Sequence, residues 1–334
     1  MCEQINSIEI NALPAKNGDC IHIRFFSKGT WFNIVIDSGP GNCSGLFGDL
    51  LERIRERGEA VDLLCFTHID DDHIRAAEKV LCRRAFDTSC IKMVWLNLPP
   101  SVASHVPTQD ELDYCRTSVT SACELWVAIG AKDIPCQTIV AEGTQMRLGD
   151  AVVDVLLPDR IRLDAFYKKW EQEEQVLRNR SKYILTSIGA SDTSPLNGSS
   201  IVLMLTINGK KMLFTGDAFA DDLANVAQMH AGDDGFFLVK LPHHGSDSNI
   251  STEMLNRFKC SHFLICTDQR PDRPSQATID LLVDYGTQQG HPVILFGNYP
   301  WNKIKSPEGG LQICQLPSSE KPVELQEILL FSEG

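Results

Sequence analysis

The chain has 334 residues, 43% of them hydrophobic and 22% charged, and its 31 Lys and Arg against 44 Asp and Glu give a formal net charge of −13. That profile excludes a disordered or fibrous chain, is ample for a sizeable core, and fits one large α/β domain or two smaller ones. The acid excess argues against a surface that grips nucleic acid through dispersed Lys and Arg. It leaves open a substrate whose charge is met locally by metal ions.

The N-terminal residues MCEQINSIEINALPAKNGD contain no basic stretch followed by an apolar one, which argues against a secretory signal. No apolar run approaches the ~18–20 residues of a membrane span. The 12 cysteines contain no CxxC pair, so neither a zinc ribbon nor a thioredoxin-like motif is supported. Those inside apolar runs, such as Cys65 and Cys266, read as small buried hydrophobes. A reduced, cytoplasmic protein is expected.

In chain order, IEINAL, DCIHIRFF and WFNIVID read as strands, the last closed by SGPGN. Leu46 to Arg57 has helical spacing, with Leu46, Phe47, Leu50, Leu51 and Ile54 on one face. VDLLCFT is a continuous apolar run, as in a strand buried on both faces. HIRAAEKVLCRRAF returns to helical spacing and IKMVWLNL to strand. A helix from near Thr108 toward Gly130 is signalled by a capping box ending at Glu111. QTIVA and AVVDVLLP are predicted strands, with turns at Gly143 and Gly149. The charged, helix-prone stretch 159–183 reads as a surface helix or lid, followed by a polar loop.

The second half repeats the alternation. SSIVLMLTI and KKMLFTGD form a predicted hairpin around Asn208-Gly209. Helix 219–230, strand FFLVKLP, helix 252–258, strand HFLICT, helix 275–289 and strand PVILFG follow, with LQICQL and ELQEILLF as closing strands. The expected architecture is α/β: two sheets covered by helices, as a single domain over 1–334 with a helical insertion or lid near 159–196.

Candidate chemistry gathers at strand ends, where alternating α/β folds place their sites. Thr67–His73, T-H-I-D-D-D-H, sets His68, Asp70 and Asp72 two apart on an extended segment, and His73 turns in as a helix starts. Four N/O ligands within six residues suit two adjacent metal ions; the plain alternative is an acidic helix start. Asp217 in LFTGDA stands at a glycine turn where it can bridge two ions, or else caps the following helix. His243 and His244 follow the strand ending LVKL. Adjacent histidines are expected to diverge, so at most one serves as a ligand while the other faces substrate.

These motifs, NGDCIHI, VIDSGP, FTHIDDDH, LFTGDA and KLPHHGS in order over about residues 5–300, resemble the metallo-β-lactamase-fold hydrolases. The resemblance runs most closely to the hydrolase domain of ComEC-type competence proteins and related phosphodiesterases. It implies an αββα sandwich of two mixed sheets flanked by helices, with a dinuclear site between the sheets. By position, His68 and Asp70 would serve the first metal, Asp72, His73 and His244 the second, and Asp217 would bridge. His243 would contact the substrate phosphate or protonate the leaving group, and Asp37 would orient a ligand histidine.

Several residues depart from the commoner pattern. Asp70 replaces a histidine, a harder ligand that favours Mn²⁺ or Fe over Zn²⁺. A further histidine expected before the TGD strand is missing; Asn197 or a water substitutes. His105, the only histidine between His73 and Asp217, lies in a Pro-flanked loop and is read as exposed. Arg75 and Lys240 are read as solvated cations, with phosphate contact as the alternative. His22, His230, His262 and His291 have no ligand-type partners at useful spacing.

The expected function is metal-dependent hydrolysis of a phosphodiester by a metal-bound hydroxide, with two divalent ions (Mn or Zn, Fe admitted). Asp72 and His243 are the residues nearest the chemistry. The charge narrows the substrate to short or single-stranded nucleic acid or a smaller ester, with no membrane partner. The alternatives are thioester or lactone hydrolysis by the same centre, or a metal-poor scaffold that works with a protein partner or as a homo-oligomer.

Overall fold

The computed structural model describes residues 8–104, 118–178, 194–270, 273–300, 309–315 and 323–324. His105, the predicted start of a helix at Thr108 and the run 325–331 lie outside them.

The described strands form two mixed sheets. The first contains β1 (Ile8–Ala12), β2 (Ile21–Ser27), β3 (Thr30–Ile36), β4 (Leu63–Phe66), β5 (Val94–Leu96) and β6 (Cys136–Gln137). The second contains β7 (Gln145–Leu148), β8 (Ala151–Leu157), β9 (Val202–Ile207), β10 (Lys210–Phe214), β11 (Leu238–Lys240), β12 (His262–Ile265), β13 (Val293–Gly297) and β14 (Leu311–Gln315). β15 (Val323–Glu324) returns to the first sheet beside β1. The orders are β15-β1-β2-β3-β4-β5-β6 and β14-β13-β12-β11-β10-β9-β8-β7. Each sheet is antiparallel at one side and parallel at the other: β3 pairs in parallel with β4, and β10 with β11.

Three apolar layers hold the sandwich. Between the sheets lie Ile21, Ile23, Phe25, Leu63 and Cys65 from one side, and Leu203, Leu205, Met212, Phe214 and Leu238 from the other. The outer face of the first sheet, with Leu64 and Phe66, is covered by α1 (Ser44–Glu56), α2 (Asp71–Leu81) and α3 (Ser118–Ala131). Helix α4 (Arg160–Arg178) joins that layer. The outer face of the second, with Leu213, Val239 and Phe263, is covered by α5 (Ala220–His230), α6 (Thr252–Phe258) and α7 (Gln276–Gln289). Because successive strand residues point to opposite faces, β4 is apolar at every position: both of its faces are buried. The αββα arrangement is the expected one.

Two local readings change. Gln145–Leu148 is a strand that its sequence does not announce, paired with β8 across a turn at Gly149. The charged stretch is helical as expected over Arg160–Arg178, with 179–193 outside the described residues, but α4 is more than a surface feature. Its Leu163, Phe166 and Trp170 are 3%, 0% and 1% exposed, and Arg162 clamps Asp222 of α5 with bonds of 2.8 and 2.9 Å. The Asn208-Gly209 turn has positive φ at both residues, the conformation a tight two-residue hairpin requires. No helix among the described residues is long and apolar enough to cross a membrane.

Candidate metal centre

The loops that leave β3, β4, β10 and β11 at their C-terminal ends converge with the loop that enters β2. After β4 come His68 (2% exposed) and Asp70, then α2 opens with Asp71, Asp72 and His73. The Asp70 side chain does not cap α2; it accepts a bond from Ser118 Oγ at 3.1 Å. After β10, Asp217 is 2% exposed. The cap position of α5 belongs to Phe219, so Asp217 is not a helix cap. Gly216 in that turn has φ +52, and a Cβ there would stand 3.0 Å from Thr67 and Ser200. Gly18, in the loop before β2, is required for close approach: its Cβ would sit 2.0 Å from the Asp72 carbonyl oxygen.

Asp217 Oδ2 is the hub. The Nε2 atoms of His73, His243, His244 and His68 lie 3.5, 3.6, 3.9 and 4.0 Å from it. Asp70 Oδ2 is 3.6 Å from His68 Nε2, and Asp72 lies 3.6 Å from His244 Nε2 and 4.0 Å from His73 Nε2. Two groups of ligand-type atoms thus share one centre, His68, His73 and Asp217 in one and Asp72, His73 and His244 in the other.

Each imidazole is held by its other nitrogen. His73 Nδ1–H donates to Asp37 Oδ2 at 2.8 Å. Asp37 also accepts the Thr67 N–H and the Thr67 hydroxyl, each at 2.8 Å. That hydroxyl in turn accepts from His68 Nδ1 at 3.1 Å. His244 Nδ1–H donates to the Cys266 carbonyl at 3.0 Å, and His243 Nδ1–H to Asn249 Oδ1 at 2.9 Å. With Nδ1 engaged in this way, each Nε2 is turned to Asp217. Nε2 of His68, His73 and His244 and Oδ1 of Asp217 are buried with no hydrogen-bond partner. An unpaired buried polar atom costs about 1–3 kcal/mol. The 3.5–4.0 Å from these Nε2 atoms to Asp217 Oδ2, too long for hydrogen bonds, fits neighbouring ligands around ions that bond N and O at ~2.0–2.2 Å.

The charges point the same way. Burial opposes the ionised forms of His73, His244, Asp217 and Asp72, and their neighbours outweigh it. Asp217 holds His73 well above the ordinary imidazole range, aided by Asp37, and pushes His244 up to about 9, aided by Asp19. In return His73 and His244 hold Asp217 well below the carboxylate range, and His244 brings Asp72 down to about 2. The cluster is a place where positive charge is stabilised.

Several expectations change at this level. Adjacent histidines were expected to diverge. Instead both His243 (φ 49) and His244 (φ 54) are left-handed, and that turn brings both Nε2 atoms to one carboxylate. Arg75 is neither solvated nor turned to the cluster. It is 9% exposed and bonds Ser121 Oγ at 2.7 Å and Glu124 at 3.2 Å, tying α2 to α3. Lys240 is also buried, ion-paired with Asp19. Asn197 is buried in the short helical turn Pro195–Gly198. Ser200 touches the cluster: its hydroxyl stands 3.4 Å from His68 Nδ1 and accepts the Asp217 N–H at 3.1 Å. His22 and His262 are buried away from the cluster, His22 against Asn33 at 2.9 Å and His262 between Phe237 and Phe296. The sequence reading assigned no role to Asp19, Ser200 or Asn249. For Asp19 the signal was available, an acidic residue at the mouth of an apolar strand.

The profile of the Metallo-beta-lactamase superfamily matches residues 20–237, well over half of the chain. No curated protein matches it. Among solved structures, the metallo-beta-lactamase fold protein YhfI from Bacillus subtilis is 10% identical, over 96% of this chain and 100% of that one, with a TM-score of 0.42. CmlA, a diiron beta-hydroxylase from Streptomyces venezuelae, is 12% identical over 86% of this chain, with a TM-score of 0.44. A metallo-beta-lactamase from Cronobacter sakazakii with a HARLDQ motif is 13% identical over 59% of this chain, with a TM-score of 0.28. The chain spans 52% of CmlA and 56% of the Cronobacter protein. With the family profile spanning β2 to the approach to β11, and two mixed sheets flanked by helices, the chain belongs to the metallo-beta-lactamase superfamily.

Proposed function

We propose that this chain is a metal-dependent phosphodiesterase of the nucleic-acid-cleaving kind, in line with the resemblance of its motifs to ComEC-type hydrolase domains. His68, Asp70, Asp72, His73, Asp217 and His244 would hold two divalent ions, with Mn²⁺ favoured over Zn²⁺ by the carboxylate share. One observation carries the reading: four histidines, each fixed through Nδ1, aim Nε2 at a single buried carboxylate. A scaffold without metal has no use for three buried nitrogens that lack partners. Divalent ions there would supply Lewis acidity, activating water near neutral pH and offsetting the charge that builds on the phosphoryl oxygens.

The chain's own residues do the rest. Asp37 and Thr67 fix the tautomer and aim of His73 and His68. His243, 14% exposed at its side chain, lies nearer solvent than His68, His73 or His244. Its Nδ1–H is tethered to Asn249, so Nε2 is the ring atom that would take up a proton and pass it to a leaving oxygen.

The test is Mn²⁺-loaded protein offered DNA, RNA, cyclic nucleotides, generic phosphodiesters and thioesters. Cleavage of a phosphodiester is expected, falling by about 100-fold or more in Asp72→Ala and in His73→Ala, the scale of losing one group that stabilises transition-state charge. Cleavage by both variants at the rate of the parent chain would overturn the site. Fewer than about one ion per chain, with no gain in melting temperature on adding Mn²⁺, would favour the scaffold.

A further inference from the structure

Lys240 ends β11 and is 1% exposed, as is Asp19 in the loop before β2. The lysine Nζ is ion-paired with Asp19 Oδ2, donates to the Gly216 carbonyl at 3.0 Å, and faces Asp217 Oδ1 at 3.8 Å. The other oxygen of Asp19 lies 3.3 Å from His244 Nδ1. One buried pair therefore touches both the turn that carries Asp217 and the imidazole of His244.

Stability alone does not account for this pair. Two charges taken out of water lose hydration that their mutual attraction only partly restores, and apolar side chains of similar volume commonly hold such a position as well or better. What the charges reach is the cluster. Lys240 cancels the charge of Asp19, so the carboxylates left facing the histidines are Asp37, Asp70, Asp72 and Asp217. With the imidazoles neutral, as ligation requires, these four negative charges match two dications.

We propose that Asp19 and Lys240 are positioning residues of the metal centre, an inference that rests on reading the cluster as one. Lys240 pins the Gly216-Asp217 turn. Asp19 Oδ1, 3.3 Å from His244 Nδ1, adds electrostatic attraction beside the Cys266 carbonyl that holds that edge of the ring, so that Nε2 stays turned to Asp72 and Asp217.

The probe is Mn²⁺ alone, measured by equilibrium dialysis on the full chain, with the melting curve of the metal-free protein as the check on folding. The double variant Asp19→Asn/Lys240→Met removes both charges at similar volume. It is expected to melt cooperatively and to bind Mn²⁺ about 10–100-fold more weakly than the parent chain, the usual effect of losing groups that orient ligands. Asp19→Asn alone, which swaps one oxygen for a nitrogen, is expected to weaken binding in the same range and serves if the double variant does not fold. Parent-like affinity and stoichiometry in the folded variants would overturn the proposal and leave the metal centre standing. A parent chain that binds neither Mn²⁺ nor Zn²⁺ would overturn the metal centre itself, and this inference with it.

Discussion

At the scale of single residues, the same side chain type serves opposite ends. His244 and His22 are both buried, but His244 faces Asp217, Asp72 and Asp19, whereas His22 lies on β2 with its Nε2–H donated to Asn33. Burial pushes His22 down to about 4; the Asn33 bond and Glu59 oppose the shift, and Arg57 and Arg24 add to it. The folded protein therefore holds this imidazole neutral where the unfolded chain, with an ordinary value of 6.5, binds a proton. The stabilisation is complete above pH 6.5 and is lost as pH falls toward 4, a change of about 3 kcal/mol at 1.36 kcal/mol per unit. His22→Gln keeps an N–H donor for Asn33 and carries no titrating proton. Urea unfolding across that pH window should show the parent chain losing about 3 kcal/mol more than the variant; parallel curves would refute the assignment. The roles of single residues were the least legible in the sequence. Asp19 and Lys240 stand far apart in the chain and meet only because the loop before β2 reaches across to the end of β11. The aim of His243 depends on a left-handed backbone that no spacing rule encodes.

At the scale of elements, the centre is a consequence of strand direction. β3, β4, β10 and β11 run parallel within their sheets, so the loops after all four open on one edge of the sandwich. This much was legible: a double-faced apolar run such as VDLLCFT marks a covered central strand, and acidic or histidine-rich residues directly after it mark the loop end. β7 was not, because an edge strand exposed at Gln145 and Arg147 carries no apolar run. Helix α4 was legible as a helix from its composition, whereas its docking was hidden among charges: Leu163, Phe166 and Trp170 stand in a stretch where nine of 19 residues are Arg, Lys, Asp or Glu. Their burial yields a prediction. Trp170→Ala should cost about 3–5 kcal/mol in denaturant unfolding, as for a large side chain removed from a packed core. A helix acting as a loose lid would lose no more than the ~0.5 kcal/mol of a surface substitution.

At the scale of the whole molecule, the net charge of −13 and the centre act on a substrate in opposite senses. Asp37, Asp70, Asp72 and Asp217 contribute to that count, yet they are the groups that dications would offset, so the bulk of the repulsion lies away from the centre. Arg75, the cation nearest His73 on α2, is committed to Ser121 and Glu124, and Lys240 to Asp19. A nucleic acid strand would then be held by the ions at one or two phosphates and by little else. Each phosphate neutralised on a single strand contributes about −0.7 to the slope of log affinity against log salt. For the Mn²⁺-loaded protein on a single-stranded oligonucleotide, log kcat/KM against log KCl should therefore fall with a slope no steeper than about −1.5. A basic groove making 6–10 phosphate contacts would give roughly −4 to −7 on the same plot. A steep slope would show that the acidic count misrepresents the working surface, and that a strand-binding face exists apart from the metal centre.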